Sequence, residues 1–309
     1  MTADGVPPPV TRTAVITVVS GRHRHLTAQL SGLQASTTPV DTHVVVAMDD
    51  PHIRPLVASA DPRAMVIEVS RVRGGLPLAS ARNRGAEAAL AAHADLLVFL
   101  DVDCIPDPAM IGRYREAARR TTGPVLLCGP VTYLPPRDSD WTAAELRAHR
   151  QPHSARPDPP DGVLEVGADP DLFWSLSFAV TGETWSRVGG FHEDYRGYGG
   201  EDTDFASTAA ALDIPVVWVG GADAYHQHHP VSAPPVEHLD DIVRNAEVFH
   251  RRWDRWPMTG WLEAFETAGL IRRSARGIEI VEPRDTTPTG DGLGAAAVTR
   301  SPRASGPVR

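Results

Sequence analysis

Apolar residues in this chain come in short solid blocks rather than in strict alternation. TAVITVV (13–19), HVVVAM (43–48) and LLVFL (96–100) are continuous runs of this kind, the pattern of strands buried on both faces of a sheet. MVIEV (65–69) is a further strand candidate. Between them, about 27–33 can be helical, and LASARNRGAEAALAAHA (78–94) reads as an Ala-rich helix with Ser80 as N-cap. Strands alternating with helices predict βαβ units and a mostly parallel sheet, so residues up to about 105 form a nucleotide-fold half-sheet. PAMIGRYREAARR is then a helix and PVLLCGPV a strand. Residues 135–172 are Pro-rich and charged, with one helical piece near WTAAELRAHR, a connection long enough to be functional or mobile. SFAVTG, a helix near TWSRVG, another after EDTDF and the strand PVVWVG complete the core. The pattern from about 236 to 272 is helical, and beyond Ser274 periodicity disappears.

The predicted organisation is a flexible lead-in (1–12), an α/β domain (13–232, divided at 105/106), a helical extension (233–273) and a disordered tail (274–309). Composition narrows the function classes. A formal charge of −9 argues against a nucleic-acid-binding surface, which needs a basic excess. Two cysteines, Cys104 and Cys128, give neither a disulfide framework nor zinc-type spacing, which fits a reducing cytoplasm. The first residues lack a signal peptide's basic and apolar regions, and no stretch approaches the ~18 apolar residues of a membrane span. The expectation is a soluble protein with no transmembrane segment that can still visit a membrane surface.

Three polar clusters interrupt the apolar blocks. LLVFLDVDCIP puts Asp101 and Asp103 at the carboxyl end of a buried strand, where open α/β sheets bind their ligands. Alternation along an extended chain points the two carboxylates the same way, and a hard divalent cation relieves their repulsion; two solvated loop aspartates are the plainer alternative. YRGYGGEDTDF (195–205) sets Glu201 and Asp202 at a helix start behind glycines 197, 199 and 200. Carboxylates are favoured there by the helix dipole, as a plain cap or as a general base with a neighbour for acceptor hydroxyls. Tyr198 and Trp174 are candidate sugar-stacking platforms or ordinary core aromatics. AYHQHHP (224–230) places His226, His228 and His229 at a strand end, a metal-type cluster whose mixed O/N donors suit Mn2+ better than Ca2+. Asp49, ending the second strand, can reach a base or ribose, and Arg82 and Arg84 sit where phosphates would lie.

Taken in order, these motifs resemble the GT-A fold of glycosyltransferase family 2: an acidic residue after the second strand, A-R-N-x-G before a strand ending D-V-D, then V-G-G-F-x-E and G-x-G-G-E-D-x-D. Residues 182–229 are also similar to the carboxyl-terminal segment of the β-1,4-galactosyltransferases. The likeness covers about 13–232 and not 236–309. It implies an α/β, Rossmann-like fold whose central sheet is flanked by helices, with a nucleotide-binding half (13–105) and an acceptor and metal half (106–232). By resemblance, Ser20, Asp49, Arg82, Asp101 and Asp103 bind the nucleotide donor, with Asp103 the direct metal ligand. Asp202 matches the catalytic base, Glu201 a sugar-binding acid, and Trp174, Tyr198, Gly200 and Glu201 the acceptor side. His229 matches the metal-binding histidine, three residues after a second ligand position at His226. His228 is expected to point away from its neighbours in an extended run, which favours the outer pair. VVSGRHRHL departs from the family in its turn after the first strand, and MDDP replaces the commoner D-D-G-S.

The resemblance implies a Mn2+- or Mg2+-dependent inverting transfer from a nucleotide-diphosphate sugar to a hydroxyl of a glycan, lipid-linked or small-molecule acceptor. Two alternatives stand beside it. One is a sugar-phosphate nucleotidyltransferase, for which the single Gly and two Arg of VVSGRHRHL make a partial phosphate loop. The other is a nucleotide-sugar-binding protein without turnover. The basic, aromatic run RRWDRWPMTGWL (251–262) reads as an acceptor or membrane-partner surface, or more plainly as a helical core with Trp anchors.

Overall fold

The computed structural model describes residues 12–281 except 74, 168 and 275. The tail beyond 281 and nearly all of the lead-in therefore lie outside the described residues. The first four strands are β1 (Thr13–Val19), β2 (Thr42–Met48), β3 (Met65–Val69) and β4 (Leu96–Leu100), and three helices connect them: α1 (His23–Gln34), α2 (Ile53–Ala60) and α3 (Leu78–Ala91). Each strand coincides with an apolar block of the sequence to within one residue. After β4 come β5 (Cys104–Pro106), α4 (Met110–Arg120), β6 (Leu126–Cys128), β7 (Val131–Tyr133), α5 (Ala143–Ala148), β8 (Leu164–Val166), β9 (Ser177–Thr181), α6 (Gly182–Val188), α7 (Glu201–Ala211), β10 (Val216–Val219) and β11 (Ala224–His226).

Eight strands form one sheet in the order β3-β2-β1-β4-β9-β6-β10-β8. β3, β2, β1 and β4 pair in parallel, as do β6 and β10, while β9 runs antiparallel to both β4 and β6, and β8 closes the edge antiparallel to β10. β1 lies between β2 and β4, and its side chains alternate between the two faces. Ala14, Ile16 and Val18 join α3, α6 and α7 residues in one core, while Val15 and Val19 face the opposite side, where α4, α1 and α2 pack. Covering both faces explains why these strands read as solid apolar runs.

Three details depart from the sequence expectations. The predicted strand PVLLCGPV is two strands in two sheets. Gly129 breaks it by donating its N–H to the Tyr114 hydroxyl (2.8 Å), and Pro130 has no N–H to continue a ladder. β7 then joins β5 and β11 in a second, three-stranded sheet of order β5-β11-β7. Ser80 is not an N-cap: α3 starts at Leu78 after Pro77, with no side-chain cap hydrogen bond. α1 starts four residues earlier than expected, at His23, because Gly21 (φ 63°) and Arg22 (φ 52°) both adopt left-handed backbone that turns the chain sharply into the helix.

A second compact unit begins at Val231. It holds α8 (Leu239–Trp253), α9 (Thr259–Thr267) and a hairpin of β12 (Ile271–Ser274) with β13 (Gly277–Ile280). The expected disordered tail from 274 therefore begins with an ordered strand. The aromatic, basic run serves this unit's own packing: Arg255 stacks over Phe249 (4.9 Å), His250 lies parallel to Trp256 (4.0 Å), and Leu262 and Phe265 are buried. Among the described residues no helix is long and apolar enough to cross a membrane.

Candidate functional site

The carboxyl ends of β1, β2 and β4 open on one side of the large sheet, and the small sheet builds the wall beside them. Asp101 leaves β4 in a tight turn closed by the Cys104 N–H on its carbonyl (2.8 Å). Buried Gln29 of α1 pins that turn, donating from Nε2 to the carbonyls of Asp101 (2.6 Å) and Cys104 (3.1 Å). The chain then becomes β5, and antiparallel pairing sets Cys104 opposite His226 of β11. The Gln227 N–H donates to the Asp103 carbonyl (2.7 Å), fixing the histidine run against the carboxylate.

The result is a three-residue cluster. One ligand atom each from Asp103, His226 and His229 lie within 4.8 Å of one another. His229 Nε2 stands 3.5 Å from Asp103 Oδ2, while His228 is exposed and outside the cluster. Asp103 is 7% exposed, and its Oδ1 makes no hydrogen bond. Burial pushes its carboxyl above the usual range, with Arg22 and His25 pulling the other way. Burial, aided by the nearby Arg22 charge, holds His229 below its ordinary value, in the neutral form that ligates. A buried carboxyl oxygen without a hydrogen bond, beside two imidazole rings, is costly alone and suits a divalent ion. The donor set of one carboxylate and two imidazoles fits Mn2+ and its transition-metal neighbours.

The second cluster is built at α7. Gly199 (φ 91°) and Gly200 (φ 89°) take backbone only glycine adopts freely, so the helix opens with Glu201 and Asp202 in its first turn. Phe205 anchors the helix in an aromatic core, with its ring 4.5 Å from Phe191. Buried Arg82 donates from Nη1 to Glu201 Oε1 (2.9 Å) and lies over the Phe191 ring (5.1 Å). Glu201 Oε2 is buried and without a hydrogen bond. Burial and then the Asp202 charge raise the Glu201 carboxyl, with Arg82 opposing. Burial disfavours the Arg82 charge, but Glu201 and Asp101 more than offset it, and its pKa stays above the usual range. Arg82 thus joins α3, the β4 end and the α7 start. Ser175, Asp101 and Arg82 line one small recess with Ile16, Val18, Phe99 and Leu100. Half-buried Asp202 accepts from the Thr203 N–H (2.8 Å).

Other expected residues fall outside these clusters. Asp49 is exposed, with positive φ (52°), and pairs with Arg71 (3.6 Å). Its neighbour Asp50 instead faces the turn after β1, accepting from the Gly21 N–H (2.8 Å) and contacting His23 Nε2 (2.8 Å). Ser20 is the half-buried residue entering that turn. Tyr198 and Trp174 are half-buried, and Trp174 meets His153 edge-on (4.9 Å) with Arg156 over its face (4.9 Å). Sequence reading missed Arg22 and His25. Arg22 Nε lies 3.8 Å and His25 Nδ1 3.7 Å from Asp103 Oδ1. The signal was the G-R-H-R-H run after β1, read as a departure from the family turn and as a partial phosphate loop. Tyr133 and His153, which continue from His226 as ring contacts of 4.8 and 5.9 Å, were missed as well.

Comparison with known proteins bears on the fold and on the class of enzyme. Residues 171–230, which carry Glu201, Asp202, His226 and His229, match the family described as the N-terminal domain of galactosyltransferase. The sequence reading had placed that likeness in a carboxyl-terminal segment. Validoxylamine A glucosyltransferase of Streptomyces hygroscopicus subsp. jinggangensis (strain 5008) is 28% identical over 232 residues, 66% of this chain and 52% of the relative. Its counterpart in subsp. limoneus is 29% identical over 209 residues, 59% of this chain and 44% of the relative. The chain thus spans about half the length of the curated relatives it matches. Among solved structures, GalNAc-T7 with UDP, GalNAc and Mn2+ aligns with a TM-score of 0.51 at 12% identity, covering 84% of this chain and 58% of that one. S. aureus TarS 1-349 aligns with a TM-score of 0.50 at 13% identity, covering 79% and 72%. The architecture is of the GT-A type.

Proposed function

We propose that this chain is a metal-dependent, inverting glycosyltransferase of the family 2 kind, moving a sugar from a nucleotide diphosphate to an acceptor hydroxyl. The observation that carries the reading is the cluster of buried Asp103 and His226 with half-buried His229, within 4.8 Å, at the strand ends of a GT-A sheet. Asp103, His226 and His229 would hold a divalent ion, which when bound would supply Lewis-acid stabilisation to the departing diphosphate.

Asp202, at the dipole-favoured start of α7, takes the proton of the attacking hydroxyl. Glu201 is clamped through one oxygen by Arg82 and turns the other toward a sugar hydroxyl. Asp101, Asp49, Arg82 and Ser20 bind the nucleotide side of the donor. Trp174, Tyr198 and Gly200 face the acceptor, whose selection falls to the 135–172 segment. The relatives' names specify a glucosyl group and validoxylamine A, and one structural neighbour was solved with UDP and Mn2+, so glucose nucleotides and small-molecule acceptors head the list. The buried Cys104 and Cys128, which form no disulfide, suit a cytoplasmic enzyme.

Thermal melting against UDP-, GDP- and dTDP-sugars, with and without Mn2+, tests the donor and the metal together. A Mn2+-dependent rise with one nucleotide, about 2.7 kcal/mol at a hundredfold excess over Kd and abolished in Asp103→Ala, is expected. No shift with any nucleotide sugar would overturn the reading. Asp202→Asn should keep that shift while lowering kcat by about 10²–10⁴-fold. NMR of the product from an α-linked donor should show an inverted anomeric centre, and retention would remove Asp202 from the role of base.

A further inference from the structure

Thr17 in β1 and His43 in β2 are polar side chains buried within apolar blocks. With buried Gln29 of α1 they make a line of hydrogen bonds that ends on the turn carrying Asp103. The direction of the line follows from what each group can donate. Gln29 Nε2 reaches the carbonyls of Asp101 (2.6 Å) and Cys104 (3.1 Å), and a carbonyl only accepts, so both amide hydrogens are engaged there. Gln29 Oε1 therefore faces Thr17 and takes its hydroxyl hydrogen at 2.8 Å. With its one hydrogen donated, the Thr17 oxygen can only accept from His43 Nε2, 3.4 Å away. Every bond in the line runs one way, from the imidazole to the turn.

The other edge of the ring is seated by Asp61, the residue that ends α2, whose Oδ2 stands 3.7 Å from His43 Nδ1. Apolar side chains at all three positions would leave no polar atom to satisfy, so stability alone does not call for the line. What it adds is direction. Gln29 spans the carbonyls on either side of Asp103, and its amide can do so only with the nitrogen toward the turn and the oxygen toward Thr17. A bare lone pair on Nε2 would instead draw the Thr17 hydrogen to His43 and leave Gln29 Oε1 without its donor.

Resting on the metal reading above, we propose that His43 is a positioning residue for Asp103. The hydrogen on its Nε2 commits Thr17 to donate to Gln29, and Gln29 to hold the carbonyls of Asp101 and Cys104, which fixes the turn from which Asp103 projects. Outer partners that orient a metal ligand in this way strengthen metal binding without touching the ion. The rival account is three buried polar groups that satisfy one another, with the turn held by its own bond from the Cys104 N–H to the Asp101 carbonyl (2.8 Å).

NMR of the metal-free full chain and isothermal titration with Mn2+ separate the two. Long-range proton–nitrogen correlation reads which ring nitrogen of His43 carries hydrogen, with His43→Gln identifying its signals among the 13 histidines. Thr17→Val and His43→Leu break the line, while Thr17→Ser and His43→Gln keep a hydroxyl and an N–H donor in it. The expected result is hydrogen on Nε2 in wild type. The Val and Leu variants should lose about tenfold in Mn2+ affinity and shift the amide signals of Cys104 and Gln227, whose N–H groups bind the Asp101 and Asp103 carbonyls; the Ser and Gln variants should retain both wild-type values. Hydrogen on Nδ1 alone, unmoved amides and Mn2+ affinity in the Val and Leu variants, or equal losses in all four variants would each overturn the proposal. If the Val and Leu variants do not fold, the ring spectrum and the Ser and Gln variants decide it. Absence of Mn2+ binding in wild type would overturn the metal reading instead, and the line to the turn would then stand or fall on the ring spectrum and the amide shifts.

Discussion

Arg82 shows how much one side chain decides at this site. It is buried with Glu201, and its guanidinium is the counter-ion of an acidic corner formed with Asp101 and Asp202. Removing one partner of a buried pair leaves an uncompensated charge, which costs about 3–5 kcal/mol. Arg82→Ala is therefore expected to lower unfolding stability by that amount in urea denaturation. The double variant Arg82→Ala/Glu201→Gln should recover a large part of it, because the stranded charge is gone; equal losses in single and double variants would deny the pairing. Asp101, Asp103, Glu201 and Asp202 were legible in the sequence because carboxylates at a strand end or helix start have few structural excuses. Asp49 is exposed beside Arg71 while its neighbour Asp50 faces the first strand's loop, a division that only the turn geometry shows. Arg22 and His25 were illegible because their role depends on a left-handed turn that aims them at Asp103, and no spacing rule encodes such a turn.

At the scale of elements, the split of the predicted strand 124–131 matters most. Gly129 cannot be replaced without displacement, since a Cβ would collide with the backbone carbonyl of Ala222 and come within 2.8 Å of the Tyr114 hydroxyl. Tyr114 is itself tied to Ser177 of β9 (2.8 Å), so the break is braced from the central sheet. Gly129→Ala should cost about 1–3 kcal/mol or more by overpacking, read as a lower midpoint with an unchanged slope in denaturant. A neutral result would mean that the β6–β7 corner can relax. The apolar blocks predicted β1, β2 and β4 well because two-sided burial leaves a solid signature, whereas the short edge strand β8 fell in a segment read as a connection. α2 was missed because Pro55 and a length of eight residues weaken the helical signal, and packing of Ile53 and Val57 into the core supplies what propensity lacks. The three-residue strands β5, β7 and β11 carry too little pattern to be read alone, although they build the wall beside the Asp103–His226–His229 cluster.

At the scale of the whole first unit, the junction between the two sheets carries a titrating group. Asp223 precedes β11, is buried, and pairs with Arg150 (2.7 Å), which also binds Asp158. Burial, opposed by Arg150 and aided by Asp107 and Asp158, pushes its carboxyl up to about 6 from 3.8. A raised carboxyl holds its proton more tightly in the folded state, so its contribution to stability is complete below the unfolded value and is lost as pH rises through about 6. Between pH 4.5 and 7.5 wild type should lose about 2 kcal/mol relative to Asp223→Asn in denaturant titrations. A constant difference across that range would show that Asp223 titrates normally. The sequence pointed to the order of the motifs and to the α/β class; it gave no hint of this corner, where the acidic groups come from segments far apart in the chain.

The pairing of His226 with Cys104 on one side and Tyr133 on the other has a consequence for the order of events in folding. A slip of one residue in β11 would turn His226 to the opposite face, so the cluster exists only in the native register. β11 is also the last strand of the first unit to leave the ribosome, and it must insert between two strands made much earlier. Capture of Mn2+ during refolding would therefore time the closing step of assembly, when the most distant contacts form, rather than the appearance of any early helix or strand.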